Sequence, residues 1–326
     1  MAPYPVQDNN RIVRDYFKSG AVLVRGILQV LFLGTFVGLE LTMNAITKDI
    51  ISVINDLLEG NDIHIQENLM TSSTIVSIVI YAIPVLLIAA AYFIIFAKSR
   101  SQSPDARPDA GFTILNVFAI IGLICAIITA AIGVIGVVYI LISGLKNAQS
   151  NQKAGIIVSC VSLLISIGVM LAMMIVYKLY IGSVRKTAKT SELCNRGAKA
   201  YGVFSVLNAI GSAFSVLGTL ALLLLHQKIF DLLGGLLGQD ASEILGDFLT
   251  SKSTLVFLFL FVMALVSFIT NILDAKIALG YNRHIKEAMM TGGMTGGMPM
   301  SGNRGYADEN PRPARRKGYG DRFIED

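Results

Sequence analysis

"FTILNVFAIIGLICAIITAAIGVIGVVYILISG", Phe112 to Gly144, carries no charged side chain. Wound as a helix at about 1.5 Å per residue it exceeds the roughly 30 Å of a bilayer's hydrocarbon core, leaving length for tilt. Five other apolar runs resemble it, which gives six spans at approximately 21–43, 74–97, 112–144, 154–181, 201–226 and 254–280. The whole chain of 326 residues is 54% hydrophobic and 15% charged. A soluble domain needs more charge than this to wet its surface. The reading is an all-α polytopic membrane protein, a six-transmembrane-helix bundle. Its domains are a cytoplasmic N-terminal segment (1–20), a transmembrane domain (21–288) and a disordered cytoplasmic tail (289–326).

The first run carries Arg25 and Glu40 near its ends, where long side chains snorkel toward water. The polar residues before it and the lack of a small-residue cleavage site argue against a cleaved signal peptide. Basic residues then set the orientation. With the N-terminus inside, the inner segments hold fourteen Lys and Arg before the tail, against five outside. That bias puts both termini in the cytoplasm and suits a bacterial plasma membrane. It also accounts for the net charge of +5 without nucleic acid as a partner. Cys125 and Cys160 fall in spans and Cys194 in an inner loop, so no extracytoplasmic disulfide is expected.

Two nearly identical phrases, "MTSSTIV" (Met70 to Val76) and "LTSKSTLV" (Leu249 to Val256), precede spans two and six. Ser and Thr accept the unpaired amides of a first helical turn, so both read as N-caps. Other echoes suggest an internal repeat. "FTILN" at Phe112 returns as "FSVLN" at Phe204, and "KLYIGSVR" at Lys178 returns as "KIALGYNR" at Lys276. The account is three related helical hairpins, approximately 21–97, 112–181 and 201–280, each entering and leaving on the cytoplasmic side. This layout is similar to that of mitochondrial carriers, but their Pro-x-acid-x-x-base signature is missing and no function is carried over.

Between the spans, "AITKDIISVINDLLEG" places Ile46, Ile50, Ile54 and Leu57 on one helical face, with Gly60 as a C-cap. Similar stripes run through 229–237 and 244–249, and these segments are expected on the membrane surface or capping the bundle. Nine outer acids against five lysines read either as ordinary solvation with the inside-positive bias or as a vestibule that concentrates cations. The tail is rich in Gly, Pro and charge, which leaves it too little to bury. Its "RPARRKGYGDR" stretch is suited to touch anionic lipid headgroups. Its methionines have no Cys or His beside them, so no metal is assigned, and no cofactor is expected.

Inside lipid, polarity is the informative feature. Span five carries Ser205, Asn208, Ser212, Ser215 and Thr219 at helical spacing on one face. Ser159, Ser162 and Ser166 do the same in span four, and Asn116 and Thr129 lie in span three. These ten residues form either a polar-lined cavity or a helix-packing face. Near the inner end of span six Asp274 stands out, with Lys178 at the equivalent place in span four as partner in an interfacial ion pair. No HExxH, GxSxG, paired glutamates or Walker loop occurs, so no catalytic residue is named. Two functions follow: a non-catalytic membrane component (a scaffold, assembly or envelope-associated factor), or a small-solute or ion transporter using the polar faces of spans three to six. The bilayer is the one partner implied; protein partners are not specified.

Overall fold

The computed structural model describes residues 9–57, 67–103, 106–147, 150–190, 192–237 and 239–292. These hold seven helices and no strand: α1 (Asn9–Phe17), α2 (Gly20–Leu57), α3 (Glu67–Arg100), α4 (Asp109–Asn147), α5 (Ser150–Lys189), α6 (Ala198–Leu237) and α7 (Gln239–Gly292). Helices α2 to α7 each contain one stretch long and apolar enough to cross a membrane, and the six stretches coincide with the six expected spans. The fold is a polytopic helical bundle. Helix is the form such sequences must take, because an apolar run in lipid has only its own carbonyls to satisfy its amides.

The six long helices form three antiparallel hairpins, α2–α3, α4–α5 and α6–α7. Each helix packs on the next in sequence, and α7 packs back on α2 to close the circuit. Short α1 packs on α3, α5 and α7, the second helix of every hairpin. The core gathers at this end of the bundle. Val13 and Phe17 of α1 are buried among Val22, Ile95, Phe112, Leu115, Val184 and Tyr281. The Phe17 and Phe112 rings meet edge to face at 4.9 Å, and Tyr180 stacks on Tyr201 at 5.3 Å. Part of the polar N-terminal segment is therefore a plug, which the sequence reading missed.

At the opposite end α2, α6 and α7 stay tied. Asp49 of α2 forms an ion pair with Lys252 of α7, and the buried His226 of α6 shares a hydrogen bond of 2.8 Å with Thr254 of α7. The α4–α5 hairpin differs. It meets α3 near the α1 end, where Gly111 lies so close to α3 that a Cβ there would be 2.6 Å from the Ala91 carbonyl. Further along, Val158, Val161, Ile165 and Val169 of α5 are exposed, as are Ile128, Ile132 and Ile135 of α4. Beyond the α1 end this hairpin is covered mainly by its own two helices.

Three expectations change. The two Thr-Ser phrases are not N-caps, since α3 starts at Glu67 and α7 at Gln239, and each phrase lies within its helix. The amphipathic segments 45–57 and 229–237 are not separate surface helices. They prolong α2 and α6, and 244–249 lies in the 54-residue α7. No Pro interrupts these segments, so the backbone ladder continues. The C-terminal boundary at 289 also moves, because α7 runs to Gly292. Gly60 and the tail from 293 lie outside the described residues.

Candidate functional site

Where α7 meets α2, two charges are buried together. Arg25 donates from Nε to Asp274 Oδ1 at 2.7 Å and from a terminal nitrogen to Oδ2 at 3.4 Å. The other terminal nitrogen donates to Gln29 Oε1 at 2.7 Å, one helical turn further along α2. Tyr201 of α6 donates its hydroxyl to Asp274 Oδ2 at 3.1 Å. The guanidinium also lies 5.1 Å from the centre of the Tyr92 ring, a cation–π contact from α3. Four helices thus converge on one ion pair.

Beside the pair is a cavity of about 20 Å³ lined by Tyr92, Tyr177, Tyr180, Tyr201 and Asp274 among others. That is room for a single water. A charge inside a membrane domain is costly unless it is paired and hydrogen-bonded, and such residues mark function more often than stability. What this arrangement does chemically is hold: the carboxylate accepts from two helices, and the guanidinium ties a third partner and an aromatic face.

The pairing of Asp274 with Lys178 is corrected. Asp274 is buried, and its partners come from α2 and α6, the helices on either side of α7 in the circuit. Lys178 is on α5, one helix further round. It is half-buried and forms no ion pair among the described residues. Arg25 does not snorkel outward either; its side chain faces the bundle and is as buried as its partner.

The ten polar residues separate into two groups. Ser205 is buried and donates to the Tyr201 carbonyl at 2.9 Å. Asn208 reaches α5, with Nδ2 at 3.0 Å from Met173 Sδ, and Ser212 accepts from Asn271 of α7 at 2.9 Å. Asn116 stands beside Gly182 of α5, where an added Cβ would be 3.6 Å from its Oδ1. Asn208, Ser212 and Asn116 thus meet neighbouring helices, while Ser205 is buried with its hydroxyl turned back on α6. Elsewhere hydroxyls turn back on their own helices: Ser166 to the Ser162 carbonyl, Ser215 to Gly211 and Thr219 to Ser215. Ser159, Ser162 and Thr129 are exposed.

The α5–α6 contact sets a register. Tyr180 lies against Tyr201, and seven residues on, Met173 lies against Asn208. Ser166 and Ser162 follow Met173 along α5, and Ser215 and Thr219 follow Asn208 along α6, on the side away from the α1 end. Yet Ser162, Ser166 and Ser215 are exposed, as are Gly211 and Gly218. Beyond the Met173–Asn208 contact, the small-residue faces of α5 and α6 are therefore left largely uncovered.

Two features had a sequence signal that went unused. Tyr92, Tyr177, Tyr180, Tyr201 and Tyr281 all fall near the α1 end of their spans, a recurrence visible in the sequence. Gly197, just before α6, has φ +79°, and a Cβ there would lie 2.9 Å from Tyr180 N and Val176 O. Only glycine lets the chain enter α6 this close to α5. No protein-family model matches the sequence, and comparison with curated proteins and with solved structures gives no match either.

Proposed function

We propose that the chain is a non-catalytic membrane component, a scaffold or assembly partner of the bacterial plasma membrane, with both termini in the cytoplasm. In this reading the plugged α1 end is a fixed platform, and the exposed small-residue faces of α5 and α6 receive a membrane helix of another protein. One observation supports it: Ser162 and Ser166 of α5 and Gly211, Ser215 and Gly218 of α6 are exposed, on helices packed together near the α1 end. Small residues let a third backbone approach closely, which is how helices associate where the hydrophobic effect gives no drive. The hydroxyls of Ser166, Ser215 and Thr219 already donate within their own helices, which suits packing better than binding a polar solute. The excess of inner Lys and Arg supports the orientation.

The test is a photo-crosslinking residue at Ser162 or Ser215 in native membranes, with Ile80 of α3 as comparison. A discrete protein adduct common to the first two positions and absent from the third is expected. Lipid adducts alone at all three would remove the assembly reading. A second reading, small-solute or ion transport, is favoured by the buried Arg25–Asp274 pair and its one-water cavity. Labelling of cysteines at Ser162 and Asn208 by a membrane-impermeant thiol reagent, with no protein adduct, would favour it instead.

A further inference from the structure

Independently of that function, the foot of α6 carries a second concavity. It is a groove of about 480 Å³ whose lining includes Asn195, Lys199, Val203, Phe204 and Leu207. Its chemistry is split along the helix. Lys199 is exposed at one end, with exposed Arg196 just before it in the connection from α5. Over the next two turns the lining is apolar, with Val203 and Leu207 exposed to 48% and 57%. Cation at the end of a span, hydrocarbon along it: that is the order of groups met on moving from a lipid headgroup into its acyl chain.

The local charge favours an anionic headgroup. Glu192 is the acid in this connection, and Lys186 engages it at 2.5 Å. That contact and the lysine's charge, with a smaller contribution from Arg196, hold the Glu192 carboxyl below its ordinary range. Lys199 has no ion-pair partner among the described residues. Asn195 is fixed, its side-chain amide donating to Asn282 of α7 at 3.2 Å, and Gly197 is wedged against the α5 backbone. The rim is therefore held in place while its lysine stays available.

We propose that this groove is a binding site for an anionic phospholipid. The phosphate meets Lys199 and Arg196, and one acyl chain lies along Val203, Phe204 and Leu207. A basic residue at this depth is expected to enrich anionic over zwitterionic lipid roughly fivefold. The chain contains no tryptophan, so one introduced residue reports on the site alone. Phe204→Trp is reconstituted in phosphatidylcholine vesicles containing brominated phosphatidylglycerol or, separately, brominated phosphatidylcholine at equal mole fraction. Stronger quenching by the brominated anionic lipid is expected, with the preference lost when Lys199→Gln and Arg196→Gln are added. Ile135→Trp, on an exposed face of α4, should be quenched equally by both lipids. Leu207→Trp repeats the test at a more exposed position, in case Trp at the half-buried Phe204 disturbs folding. Equal quenching by the two lipids at both groove positions overturns the proposal, as does a preference that survives removal of both cations.

Discussion

Asp274 accepts hydrogen bonds from Arg25 and Tyr201, residues of two other helices, so its loss reaches beyond its own. Asp274→Ala strands the Arg25 guanidinium without its counter-charge, at an expected cost of about 3–5 kcal/mol. Replacing both partners, Arg25→Met with Asp274→Leu, should recover most of that stability, because neither charge then remains buried. Denaturant unfolding in detergent distinguishes the two, and a double variant as weak as the single one would contradict the pairing. Gly197→Ala is a second residue-scale case. Positive φ and the close α5 backbone predict a loss of about 1–3 kcal/mol, whereas Gly182→Ala, facing Asn116 at ordinary contact distance, should be nearly neutral by the same measurement. The sequence singled out Asp274 because a carboxylate within a span is rare. It did not reveal the partner, since Arg25 is separated from it by 249 positions.

At the scale of elements, α1 is the piece whose role depends on docking. Tyr16 donates to the Ile277 carbonyl at 2.7 Å, and His284 Nε2 lies 3.2 Å from the Ile12 carbonyl. Burial pushes the Tyr16 phenol up from its ordinary 10 to about 12, partly offset by the Tyr281 backbone beside its oxygen. Between those values the folded protein keeps a proton that the unfolded chain has lost. The contribution of Tyr16 is thus complete below pH 10 and declines as pH rises toward 12. The unfolding midpoint should fall across that window, and Tyr16→Phe should flatten the profile; an unchanged slope would separate Tyr16 from docking. The six spans were legible because a long apolar run has few alternatives. Helix ends were less so. Ser and Thr cap helices well but also sit comfortably inside them by bonding backward, as Thr113 does to the Asp109 carbonyl.

Across the whole molecule, two hairpins are tied at both ends while α4–α5 is held chiefly at the α1 end. Cysteine pairs placed along the α5–α6 register test this, in a protein lacking Cys125, Cys160 and Cys194. Met173→Cys with Asn208→Cys, whose native side-chain ends meet at 3.0 Å, should be joined by a short bis-thiol reagent. Ser162→Cys with Thr219→Cys should be joined far less, since Ser162 is exposed and touches no residue of α6 among the contacts described. Equal cross-linking of the two pairs would show α5 and α6 to be packed along their whole length. The sequence by itself determined the class of fold, the six spans and the hairpin order. These depend on summed apolarity and chain length, which local windows record. Only the tertiary structure decided that α1 plugs the bundle, that Arg25 answers Asp274, and which faces are left uncovered. The physical reason is the solvent: in lipid, a face turned to a neighbouring helix and a face turned outward are both apolar, so hydrophobic periodicity no longer says which way a helix looks.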